Sequence, residues 1–192
     1  MARGHTIVVD SAFMIALGEI SALHLLFENP KKMNIMFVIP DWVFREIFRK
    51  EHPYDKQIKE AIKIGSIQKI SPPQDEYEKL RNRNPSLGRG ELEALTIAKC
   101  GMYSNCILLF DDGDARKSAS RYGFKYHGLI WFLENCCYCN VLDKNETLHL
   151  LEKVECSSFR IKKHYIQEAK QRIRNLQPRP RAHKQRISHA TK

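Results

Sequence analysis

Short apolar runs ended by turn residues alternate with amphipathic stretches along the whole chain. Thr6–Val9 is β-branched and apolar, which predicts a buried strand stopping at Asp10 and Ser11. Either residue can cap the helical run Ala12–Leu17, and Ile20–Phe27 reads as its continuation until Asn29 and Pro30 break it. Ile35–Ile39 predicts a second strand, closed by Pro40, after which Asp41 caps a helix Trp42–Lys50 with Val43, Ile47 and Phe48 on one face. A helix around Lys56–Lys63 and a strand Ile67–Ile70 follow, and Pro72 and Pro73 then lead into a polar segment reaching Gly88. Gly88-Arg89-Gly90 opens a helix Glu91–Lys99, and Cys106–Phe110 predicts a strand ending in the acidic knot Asp111-Asp112-Gly113-Asp114. Next come a helix Ala115–Tyr122, a strand Phe124–Tyr126 and helices over Leu129–Cys136, Lys144–Lys153 and Ile161–Leu176. Strands alternating with helices argue for an α/β domain with a mainly parallel sheet.

Composition agrees and adds one asymmetry. With 192 residues and 43% hydrophobic side chains, the chain can bury one real core and is too short for two. We expect one domain over residues 1–176 and a basic, disordered tail over 177–192. The net charge is +10, yet residues 1–158 hold 21 basic and 21 acidic side chains. Residues 159–192 hold 11 basic ones against Glu168 alone, a cationic end that suits a polyanion, an acidic protein or mere solubility. No secretory signal or membrane span is legible, so a cytoplasmic protein with reduced thiols is expected. Cys136, Cys137 and Cys139 could bind a soft metal but lack the second spaced pair of a zinc site.

The candidate chemistry lies in carboxylates. In a parallel α/β sheet, ligands gather at the carboxyl ends of the strands. Asp10 follows the first strand, and Asp111 and Asp112 follow a later one. Glu46 lies in the helix after the second strand, and Glu91 opens the helix before the acidic knot. Taken singly, Asp10, Asp111, Asp112 and Asp114 could be caps or loop residues, and Glu46 and Glu91 solvated helix charges. Asp41 and Glu93 read as cap and helix surface. Jointly, acids at the ends of the most buried strands need a reason. A hard divalent cation removes their mutual repulsion and can support hydrolysis of a phosphodiester.

These segments resemble known motifs. Ile7-Val-Val-Asp10-Ser11 before an apolar helix resembles the first motif of PIN-domain nucleases, and Pro40-Asp-Trp-Val43-Phe-Arg-Glu46 is similar to their second. Gly90-Glu91-Leu-Glu93-Ala94 and Leu109-Phe-Asp111-Asp112-Gly-Asp114-Ala115-Arg116 resemble the later helix and acidic turn of a VapC-like subgroup, and Lys125–Leu129 reproduces its next strand, Gly and helix. The likeness spans about residues 5–175.

The resemblance implies a three-layer α/β/α sandwich and an endoribonuclease dependent on Mg²⁺ or Mn²⁺. It implies Asp10, Glu46, Glu91 and Asp112 as catalytic metal ligands, with Asp114 a further one and Asp111 the weaker half of its pair. Ser11 would sit beside the metal. Independently of the resemblance, the cations near the acidic edge, Arg89, Arg116, Lys117 and Arg45, are candidate RNA contacts, with solvated helix surface as their plain alternative. Relatives of this kind are often toxins restrained by a small antitoxin-like inhibitor, and many are homodimers. The longer Asp75–Arg89 segment, the basic tail, and Phe110 in place of a hydroxyl residue depart from that pattern without removing an acid. Two rival readings are a non-catalytic RNA-binding or assembly module and a DNA-directed nuclease.

Overall fold

The computed structural model describes residues 5–27, 35–103, 105–159 and 161–177. Strands β1 (His5–Val9), β2 (Ile35–Pro40), β3 (Ile67–Ile70), β4 (Cys106–Leu109) and β5 (Lys125–His127) form one sheet. Their order is β3-β2-β1-β4-β5, with every pairing parallel. Parallel neighbours require crossovers, and helices supply them. They are α1 (Ser11–Glu19), α2 (Asp41–Ile47), α3 (Asp55–Lys63), α4 (Gln74–Arg83), α5 (Arg89–Lys99), α6 (Gly113–Arg121), α7 (Leu129–Tyr138), α8 (Lys144–Cys156) and α9 (Lys163–Asn175).

Burial on both faces explains the unbroken apolar runs of the central strands. Ile7 and Val9 pack into one layer with Phe13, Phe37 and Phe132, from which α1, α3, α7, α8 and α9 draw their buried residues. Val8, Leu108 and Phe110 pack into the other with Leu92, Leu95, Ala115 and Tyr77 of α4, α5 and α6. The result is a helix–sheet–helix sandwich, as the motif resemblance implies, around the parallel sheet that the alternation of elements predicts. The sheet grows from β1 through β2 to β3 on one side, and the chain then returns to place β4 and β5 on the other. That reversal puts a topological switch point between β1 and β4, where the two crossovers leave a crevice at the strands' carboxyl ends.

Three expectations change. The first helix ends at Glu19, because Ser21 takes a left-handed backbone (φ 59°), and Leu23–Leu26 is only a 3₁₀ turn. The polar segment after Pro73 contains α4, whose Tyr77 and Leu80 are buried while its other side is charged. Its single apolar stripe is too narrow to stand out beside the polar residues around it. Asn84 then fastens this helix to α6, donating to the Leu80 carbonyl (2.9 Å) and accepting from Ser118 (3.2 Å). Asp41 does not cap α2; it lies in the first turn and pairs with Arg45 (2.8 Å) and Lys69 (3.3 Å). The expected tail beyond Gln177 and the break at Asn29 and Pro30 lie outside the described residues.

Phe132 anchors the larger layer, edge-on to Phe13 (5.2 Å between centroids) and Phe37 (6.0 Å) with no exposed surface. Phe132→Ala should cost roughly 3–5 kcal/mol in urea unfolding. A loss below about 1 kcal/mol would mean the layer does not depend on this contact.

Candidate active site

Asp10 stands one residue beyond β1 and caps α1, its Oδ1 accepting the Phe13 N–H at 2.7 Å. It is only 5% exposed. Burial pushes its carboxyl up to about 7, and the negative charges of Asp111 and Glu91 push the same way. The Phe13 N–H opposes them in part. Adjacent β4 ends in register with β1, Val9 beside Leu109, so the turn after β4 opens next to Asp10. There Asp112 caps α6, with Oδ1 accepting from the N–H groups of Asp114 (2.8 Å) and Ala115 (3.0 Å).

Two helices on the β2 side close the crevice. Glu91, in the first turn of α5, accepts the Gly88 N–H through Oε2 at 2.9 Å. Burial raises its carboxyl above the usual range, with Asp112, Glu46 and Asp114 adding to the effect. Glu46 arrives from α2. Gly90 lets α5 approach this closely, since a Cβ there would sit 2.8 Å from the Val43 side chain. Asp10, Ser11, Glu46, Glu91, Asp112 and Asp114, together with Arg89, line one cavity of about 300 Å³.

Five carboxylates therefore share a small space. Among the described residues, Asp10, Glu46, Glu91 and Asp112 enter no ion pair, while Asp114 pairs with exposed Lys117 (2.9 Å). The donor set is all oxygen, which matches a hard divalent cation in kind. Three N-termini, those of α1, α5 and α6, converge here and partly offset the negative charge. Among the described residues, no three candidate ligand groups stand at the spacing of one coordination sphere. The caps account for that spread, because each holds a carboxylate against its own helix. Oε1 of Glu91 and Oδ2 of Asp112 take no hydrogen bond among the described residues and, with the Glu46 carboxylate, are among the atoms left over for a ligand.

Asp111 and Arg116 point elsewhere. The Arg116 guanidinium donates to the Phe110 carbonyl (2.6 Å) and pairs with Asp111 Oδ1 (2.8 Å). A Cβ at Gly128 would collide with this pair, so glycine at the mouth of α7 lets it lie flat. Asp111 is thus engaged by an arginine and does not line the acidic cavity, although its charge is felt at Asp10. Lys117 is exposed and does not line it either.

Glu93 departs most from expectation. It is 4% exposed rather than a surface charge, and its Oε2 accepts the Trp42 N–H at 2.8 Å, supplying α2 with the cap that Asp41 does not. Its Oε1 takes the Arg89 Nε at 3.3 Å. Arg89 lies over the Trp42 ring (4.1 Å) and beside Tyr77 (5.9 Å), so its cation is held at the cavity rim. The signal was present: Leu92, Ala94, Leu95, Ile97 and Ala98 make α5 apolar around most of its girth, leaving little exposed surface for a glutamate.

A family model described as a PIN domain matches residues 6–175. The chain belongs to the PIN-domain family. Among curated proteins, none matches it. PIN domains are generally nucleases, and the acids of this chain stand at the sheet edge where an α/β fold places its chemistry.

A buried acid whose carboxyl is raised binds its proton more tightly folded than unfolded. Its contribution to stability is therefore present at low pH and falls away as pH rises from about 4 through about 7. Asp10→Asn, which removes the buried charge, should raise the melting temperature in chelator at pH 8 by roughly 4–8 °C and change it little at pH 4. Equal shifts at both pH values would show that Asp10 is not strained by charge. Glu93→Ala leaves the Trp42 N–H without its acceptor and should destabilise by roughly 1–3 kcal/mol in urea unfolding, with no effect if the contact is incidental.

Proposed function

We propose that this PIN domain is a divalent-metal-dependent endoribonuclease. The observation that carries the reading is the burial of Asp10 among four further carboxylates, with no cationic side chain paired to it among the described residues. Asp10, Glu46, Glu91 and Asp112 would hold Mg²⁺ or Mn²⁺, with Asp114 at the rim. When bound, such ions lower the pKa of water and stabilise the charge developing on a phosphodiester. The chain's own groups do the rest. The Phe13 N–H and the N-terminus of α6 fix Asp10 and Asp112 in orientation, and the Ser11 hydroxyl beside Asp10 can hydrogen-bond a carboxylate or a water. Arg89, preset by Trp42 and Glu93, is placed to take a phosphate oxygen with little loss of side-chain freedom. Arg116 and Lys117 would meet the strand outside the cavity.

Within this reading the protein acts as the toxin of a toxin–antitoxin pair or as a related RNA-processing or defence nuclease. A small inhibitor protein and a second copy of the chain are its expected partners. The motif resemblance supports the toxin form, and the cationic end supports a polyanionic substrate.

The test is incubation of the full chain with RNA and DNA pools in Mn²⁺ or in chelator. RNA should be cut only with metal, and Asp10→Ala and Asp112→Ala should each lower the rate about 100-fold or more. Variants cutting as fast as the parent would break the site assignment, and preferential cutting of DNA would replace the substrate.

A further inference from the structure

The second large hollow near the acidic edge is built where the cationic end of the chain meets the β4 turn. It encloses about 530 Å³, within the roughly 300–1,000 Å³ typical of small-molecule sites. Asp111 and Arg116 form its wall on the catalytic side, Trp131 comes from α7, and Lys162, Tyr165 and Arg172 come from the start and body of α9. Its ion pairs are closed on themselves: Asp111 with Arg116 (2.8 Å) and Arg172 with Glu134 (2.7 Å). Lys162 enters no ion pair among the described residues and leaves the hollow cationic.

Tyr165 is what a folded core does not account for, while Trp131 packs against the core and leaves only part of its ring at the hollow. Trp131 is held rigid by His127, whose ring lies parallel to the indole at 3.9 Å. Tyr165 is 51% exposed, among the few large apolar side chains left open to water in the described residues. Along α9, Ile166, Ala169 and Ile173 satisfy the core without it. Two aromatic side chains and an unpaired lysine around an open hollow match an unpaired nucleotide, which has a π face and a phosphate. Position supports the same ligand. Asp111 and Asp112 are consecutive, and Asp111 lines this hollow while Asp112 lines the acidic cavity. A strand crossing the end of β4 would reach both.

We propose that this second hollow is a nucleotide subsite, taking an unpaired base of single-stranded RNA against Trp131 and Tyr165, with its phosphate beside Lys162. The assignment of that strand as the one cleaved rests on the ribonuclease reading above.

The test separates the two. Binding of a fluorescein-labelled single-stranded octaribonucleotide to the full chain is measured in chelator, where no metal-dependent cleavage occurs, with heparin as a base-free polyanion. Tyr165→Ala should weaken RNA binding about five-fold or more while heparin binding stays within about two-fold. Lys162→Ala should weaken both ligands. Tyr165 is half exposed, so an unchanged melting temperature serves as the control for folding. RNA affinity unchanged in Tyr165→Ala overturns the subsite, and so does an equal loss for RNA and heparin. Cleavage is read in parallel with Mn²⁺. A parent that binds RNA in the Tyr165-dependent way yet cuts nothing sinks the nuclease reading and leaves the nucleotide site standing.

Discussion

Asp10 ends the central strand of the sheet almost wholly out of water, with carboxylates around it and, among the described residues, no lysine or arginine paired to it. Burying an ionisable acid in this way costs stability unless the group is neutralised or compensated. Much of the surrounding structure can be understood as partial compensation. Three helices begin at the same crevice and turn their N-terminal N–H groups towards the acids. The switch point between β1 and β4 creates the crevice, and the close approach of α5 to α2 over Gly90 encloses it. These devices soften the cost without removing it, as the carboxyls of Asp10 and Glu91 show, raised first by burial and then by neighbouring charge. Protonation of Asp10 is one way to balance the charge, and the divalent cation of the proposed function would be another.

Helix capping and ligation are not competing roles here. A carboxylate has two oxygens, and in Glu91 and Asp112 one is committed to a backbone N–H while the other faces no donor among the described residues. The cap fixes the side chain's direction in advance, which lowers the entropy lost on binding a ligand. Consecutive acids divide the work differently. Asp112 joins the acidic cavity, whereas Asp111 is taken by Arg116 over the bare backbone of Gly128. The arginine that sequence alone places on the substrate is thereby partly occupied within the fold.

Local signals made the sheet, the position of Asp10 and the acidic knot legible in the amino-acid sequence. Continuous apolar runs fit strands buried on both faces, as those of a parallel sheet are. The grouping of Glu46 with Asp10 followed from its place in the helix after the second strand, and the motif resemblance reinforced it. Helix α4 was hidden because only Tyr77 and Leu80 of its ten residues are buried. Glu93 was misjudged for the opposite reason: a charged residue in a helix surrounded on most sides looks like surface until its partner, the Trp42 N–H 51 positions away, is known. Long-range placements of this kind, like that of Trp131 and Tyr165 around one hollow, are not encoded in any local pattern.

Cation binding itself is the most direct test of the account, because it does not depend on finding the right substrate. Mn²⁺ titrated into the full chain at neutral pH can be counted by electron paramagnetic resonance as the loss of free-ion signal. Saturable uptake of one or two ions, weakened at least about 100-fold in both Asp10→Ala and Asp112→Ala, is the predicted result. A parent that takes up no Mn²⁺ at millimolar concentration, or variants that bind it as tightly as the parent, would contradict the claim that these carboxylates form a metal centre.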